Sequence, residues 1–196
     1  MARPREFDET AVLAAATDLF WTRGFESTTT RDLADAMGLT VASLYNAYGD
    51  KRSLYRLVLD RYAANALAWC GSTLEEGPTA LKALERFFQA IGRESLSNEA
   101  QRGCLVVNAG LQTAPQDAEL GEVVAQVFER IDALLAACVA RGQAEGSIAP
   151  TQSAEEVASL LLGVMLGLRV VARTKPDASL VHGMVHAATA TLRPHP

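Results

Sequence analysis

The chain has no excess of positive charge: 18 lysines and arginines stand against 23 aspartates and glutamates, a net charge of −5. A protein that coats nucleic acid through bulk charge is thereby excluded, and any DNA contact must be local. Long apolar runs are also missing. The longest, from Val157 to Leu168, is closed by Arg169, short of the roughly 18 to 20 residues a bilayer crossing requires, so no membrane span is expected. Cysteine is scarce: Cys70, Cys104 and Cys138 are odd in number, far apart and without a C-x-x-C pair. That argues against a disulfide framework or a zinc knuckle and for free thiols. The first residues carry charge but lead into no apolar segment with a cleavage site, so no secretory signal is expected and the cytoplasm is the expected location. Internal repeats, low-complexity tracts and alternating β-branched runs are absent as well, which excludes a solenoid and disfavours a sheet.

What is present is a chain of 196 residues with 49% apolar and 21% charged side chains, enough to bury a core in one or two domains. Its periodic stretches are rich in Ala and Leu, and the fold class they predict is all-α. A first helix is expected from near Asp8, with Val12, Ala16, Leu19 and Phe20 on one face and Gly24 as its stop. Thr29 followed by Asp32 reads as a capping box for a second helix over 30–37, ended by Gly38. A third short helix follows Leu39 and Thr40 and runs to about Tyr48. Asp50 is an expected N-cap for a long helix over 51–69, with Leu54, Val58 and Ala66 inward. The Glu-Glu-Gly-Pro stretch at 75–78 reads as the boundary between an N-terminal head and a larger body, bridged by that helix. Further helices are expected over 79–95, 102–113, 117–145, 154–174 and 178–192.

The stretch 29–48 has the spacing of a helix-turn-helix. Leu33, Met37, Leu39 and Leu44 fall where its helices must share a core, Ala34 falls where a larger side chain would hold them apart, and Gly38 supplies the positive φ of the turn. An ordinary pair of surface helices is the alternative. Residues 10–60, with Leu19-Phe20, Gly24-Phe25, Thr28-Thr29-Thr30, Leu33-Ala34, Gly38-Leu39, the run from Ser43 to Lys51, and Leu54, resemble the N-terminal domain of the TetR family of transcriptional regulators. Tyr48 stands where that family usually has Phe, and Asn46 where His is common. The resemblance implies an all-α protein with a three-helix DNA-binding head, assigned to 1–60, and a helical effector-binding and dimerisation body, assigned to 61–196. It implies a ligand-responsive regulator, most often a repressor, released from a palindromic operator by a small molecule. No enzyme activity, cofactor or metal is expected.

Physical chemistry gives the implied contacts a separate warrant. Thr30, Arg31, Thr40, Ser43, Tyr45 and Lys51 are hydroxyl or cationic groups at helix starts or on the outer face of the third helix, suited to grip phosphates. Thr40, Val41, Ala42, Ser43 and Asn46 have short side chains that let a helix approach base edges, with Asn able to pair bidentately with adenine. Arg3 and Arg5 resemble the basic arms of related regulators, a plain cationic tail being the alternative. A single helix-turn-helix reads few base pairs, so a homodimer on double-stranded DNA is expected. Leu160, Leu161, Leu162, Val164, Met165, Leu166, Leu168, Val170 and Val171 wrap nearly all round the helix over 154–174, which with 178–192 is the expected dimer interface; Gly163 and Gly167 permit close approach.

Phe87, Phe88, Ile91, Leu105, Val107, Asn108, Leu111, Val124, Phe128 and Leu135 are expected to converge in the body, with Trp69 at the end of the long helix. They form either a packed centre or an effector pocket. Cys104, beside Arg102 and at an expected helix start, is a candidate ligand-site residue and a candidate sensor of electrophiles or oxidants; a buried inert thiol is the alternative. His182 and His186 have ligand spacing, but Gly183 stands where a metalloprotease would place Glu and no third ligand is evident. A helical scaffold without DNA binding is the remaining class.

Overall fold

A computed structural model of the chain describes residues 9–97, 102–174 and 176–194, and Arg3 and Arg5 lie outside them. Regular structure among the described residues is helical. Two compact units meet between Tyr62 and Ala63.

The first unit holds α1 (Glu9–Arg23), α2 (Thr30–Ala36), α3 (Val41–Tyr48) and the start of α4 (Lys51–Glu75). Each boundary has a local cause. Gly24, at φ 82°, stops α1 and donates its N–H to Phe20 O at 2.8 Å. Thr29 accepts from Asp32 N while Asp32 accepts from Thr29 N, completing a capping box. Thr40 caps α3 by accepting from Ser43 N at 3.1 Å, and Asp50 accepts from Ser53 N at 2.7 Å at the start of α4. Gly38, at φ 65°, makes the turn between α2 and α3. Leu13, Ala16, Phe20, Leu33, Ala34, Leu44, Leu54, Tyr55 and Val58 form the buried core of this unit. Leu13 takes the interior place expected of Leu19, which is half-buried. Phe20, Phe25 and Tyr55 close the core with ring centroids 4.9 to 6.2 Å apart.

In the second unit α4 continues to Glu75, six residues past the expected end, because Leu67, Cys70 and Leu74 keep its buried stripe going. Ala66 lies at the edge of that stripe, half-buried. The break at 75–78 therefore lies inside the second unit, and the boundary between units falls within α4 instead. Then come α5 (Ala80–Ser95), α6 (Leu105–Gln112), a 3-10 turn (Ala114–Gln116), α7 (Ala118–Ala144), α8 (Ala154–Val171), a second 3-10 turn (Ala172–Thr174) and α9 (Ala178–Ala190). Helix α6 starts three residues later than expected. Gly103 sits at φ 68° and Cys104 is extended, so neither continues a helix.

Helix α7 packs against α5, α6 and α8, while α5 also packs against α8 and α9. Its C-terminal turns hold the ends of two neighbours. Arg141 Nη2 donates to Leu74 O at 2.7 Å, and Glu145 Oε1 accepts from Ala80 N at 2.6 Å and from the Ser147 hydroxyl at 2.6 Å. These bonds satisfy terminal groups that α4 and α5 leave unpaired. The stretch Ala154–Thr174, 21 residues, is long and apolar enough, by length and composition, to cross a membrane, with a mean hydropathy of 1.7 over an 18-residue window. The expectation from uninterrupted runs missed this, because Arg169 interrupts the run without lowering the average much. In the fold Val157, Ala158, Leu161, Met165 and Leu168 are buried, whereas Leu160 and Val170 remain exposed.

Candidate nucleic-acid interface and effector cleft

Helix α3 has one buried side chain, Leu44, and presents the rest of its surface outward. Val41, Ala42, Tyr45 and Asn46 are exposed, and Ser43 is half-buried. With 3.6 residues per turn, Ala42, Tyr45 and Asn46 share one face, so short apolar, phenolic and amide groups stand together as major-groove readout requires. Arg31 is exposed on α2 beside half-buried Thr30. The Thr40 hydroxyl is committed to the start of α3, where it bonds Ser43 N and lies 2.9 Å from the Ser43 hydroxyl. Its main task in the folded head is capping.

Lys51 departs from the expectation of a phosphate grip. Its Nζ donates to Phe25 O at 3.0 Å and to Thr28 O at 3.1 Å, and it lies 4.2 Å from the centre of the Phe25 ring. Chain reversal after α1 leaves two carbonyls without helical partners, and the ammonium satisfies both while stacking on an aromatic face. Electrostatics at the start of α2 are equally local. The Thr29 hydroxyl and N–H hold the Asp32 carboxyl below the usual carboxylate range, assisted by Arg23 at 3.3 Å.

The expected effector set divides on folding. Phe87, Phe88 and Ile91 are fully buried in α5, and Val107, Asn108 and Val124 are also buried. Trp69, 37% exposed, stacks on Phe87 with centroids 5.2 Å apart. Phe128 is half-buried. Leu111 is 61% exposed and does not join the converging group, because it stands on the outer side of the short helix α6. The Asn108 amide is bonded at both ends: its Nδ2 donates to Arg102 O at 2.8 Å and its Oδ1 accepts from Arg173 Nη1 at 2.8 Å. It pins the backbone before α6, as a buried amide must. Cys104 is half-exposed at the N-cap of α6 with no side-chain cap bond, whereas Cys70 and Cys138 are buried. Burial pushes the Cys70 thiol up to about 11 and also raises that of Cys138.

A cleft of about 560 Å³ opens elsewhere in the body, lined by Ala64, Leu67, Ala68, Arg130, Ala133 and Leu134. None of these was singled out from sequence. The only available signal was an arginine on an otherwise small and apolar stripe of α7. His182 and His186 are exposed, and no group of three metal-ligating side chains occurs among the described residues.

Two family models match the chain. "Bacterial regulatory proteins, tetR family" covers residues 12–58, and "Tetracyclin repressor-like, C-terminal domain" covers 80–188. The HTH-type transcriptional repressor ComR of Escherichia coli (strain K12) is 29% identical over 192 residues, 97% of this chain and 90% of that protein. The uncharacterized HTH-type transcriptional regulator YezE of Bacillus subtilis (strain 168) is 32% identical over 130 residues, 66% of this chain and 65% of that one. Among solved structures, a cysteine mutant of the TetR-family regulator CifR complexed with a 26 bp double-strand operator superposes with a TM-score of 0.86. It is 29% identical and the match covers 97% of this chain and all of that one. Both halves of the chain and its whole fold thus agree, and the protein belongs to the TetR family of bacterial transcriptional regulators.

Proposed function

We propose that this protein is a ligand-responsive repressor that binds a palindromic operator as a homodimer. The single observation that carries the reading is the outward face of α3, where Val41, Ala42, Tyr45 and Asn46 stand exposed around one buried anchor, Leu44. Thr30, Arg31, Ser43 and Tyr45 supply phosphate contacts, while Val41, Ala42 and Asn46 meet base edges. Exposed Leu160, Val170 and Leu180 continue the apolar surfaces of α8 and α9, and a second copy of the same helices covers them. The similarity to ComR, an HTH-type transcriptional repressor, supports this reading, as does the operator complex of CifR. A repressor of this kind works in the cytoplasm with the chromosome.

Effector binding acts through α4, which belongs to the first unit up to Tyr62 and to the second from Ala63. A ligand shifts the equilibrium only if it binds the non-operator form more tightly. Selection of operators from a genomic library with the full-length protein tests the proposal. An enriched palindrome is expected, and Asn46→Ala should relax preference at one position of each half-site by about 1 to 3 kcal/mol. Enrichment of no palindrome would overturn it.

A further inference from the structure

The cleft in the body has a chemistry of its own. Ala64, Leu67 and Ala68 of α4 face Arg130, Ala133 and Leu134 of α7, and each trio follows i, i+3, i+4 spacing, so each presents one helical stripe. Three of the six are alanines, and the space they leave is what leucines at the same positions would fill. The resulting volume of about 560 Å³ falls within the range of small-molecule sites, roughly 300–1,000 Å³. Five of the six lining residues are apolar. The sixth, Arg130, is exposed and makes no hydrogen bond or ion pair with the described residues. Neighbouring carboxylates on α7 leave it alone: Asp132 takes a bond from the Ser159 hydroxyl of α8 at 3.4 Å, and Glu129 is not part of the lining.

We infer that the cleft takes a small amphipathic anion, an acyl or aryl carboxylate, whose charged end pairs with Arg130 and whose hydrocarbon lies along the alanine and leucine wall. The planar guanidinium accommodates a carboxylate through two parallel N–H···O bonds. A neutral ligand of the same length gains only the apolar wall, because exposed Arg130 keeps its water, and a cationic ligand is repelled by the guanidinium. The inference deepens the ligand-responsive reading, on which it rests for its regulatory meaning. The binding chemistry itself stands on the cleft.

The test uses full-length protein and three probes of equal chain length, decanoate, decanol and decylamine, titrated calorimetrically. Decanoate is expected to bind one per protomer, at least about tenfold more tightly than decanol, with no saturable binding of decylamine. Arg130→Gln should bring decanoate to the affinity of decanol while leaving decanol unchanged. Ala133→Phe should abolish binding of both alkyl probes with helical circular dichroism retained; if that variant loses its helical signal, Ala64→Leu replaces it. Equal affinity of decanoate and decanol, an unchanged preference in Arg130→Gln, or no binding of any probe would overturn the inference. Operator affinity of the unliganded protein is measured in parallel. Its absence would overturn the repressor reading while calorimetry still decides the carboxylate site.

Discussion

Lys51 shows how a single side chain can carry a different task from the one its charge suggests. Two carbonyl bonds and an aromatic contact make it a half-buried strut between the α1–α2 turn and the start of α4. Lys51→Met should therefore cost about 1–3 kcal/mol of stability, the usual value of removing a charged hydrogen-bond donor from two carbonyls. The check is denaturant unfolding, together with the salt dependence of operator binding, whose slope should stay unchanged. Glu85 is a second strut, 8% exposed, held by Lys82 at 2.7 Å and by Arg193 at 2.9 Å. The Lys82 bond, and secondarily Arg193, keep its carboxyl below the ordinary 4.5 against the opposing effect of burial. Because the folded value lies below the unfolded one, the ion pairs contribute their full stability above the unfolded value and lose it as pH falls through the folded value. Thermal melting of wild type and Glu85→Gln should show the widest gap near neutrality, closing as the pH drops below about 4.5.

At the scale of elements, α7 is the beam to which the others are fastened. Its Arg141 and Glu145 hold the end of α4 and the start of α5, and Gly142 between them lets Ile148 and Ala80 approach closely. A methyl group at position 142 would collide with the Ile148 side chain and press on Ala80 Cβ at 3.1 Å. Gly142→Ala should thus destabilise the body by about 1–3 kcal/mol despite the better helix propensity of alanine, since overpacking outweighs propensity in a closed contact. Urea unfolding should show a lower midpoint with an unchanged slope.

For the whole molecule, the exposed apolar surface of α8 and α9 is the feature that a lone copy leaves unexplained. Leu160 is 54% exposed and Leu180 50%, on helices whose opposite faces are already buried. Leu160→Arg is expected to yield monomers by sedimentation and to weaken operator binding by roughly a hundredfold or more, because two linked heads bind with an avidity a single head lacks. A variant that stays dimeric with full operator affinity would move the interface elsewhere.

The helix-turn-helix could be read before any coordinates because its determinants are local. Thr29 with Asp32, Gly38, Thr40 and Asp50 fix the ends of α2, α3 and α4 through bonds within four residues, and Leu33 and Leu44 declare its core through periodicity alone. Helix order in the body was legible for the same reason. Tertiary structure decided everything that depends on which side chain meets which across distance in sequence. Lys51 reaches carbonyls more than twenty residues away, Asn108 is spent on Arg102 and Arg173, Leu111 turns outward, and the Glu-Glu-Gly-Pro break at 75–78 falls inside the second unit. The cleft at Arg130 was invisible in the chain because a cavity is defined by the side chains that fail to meet. Composition records alanines on α4 and α7 but not that they face one another.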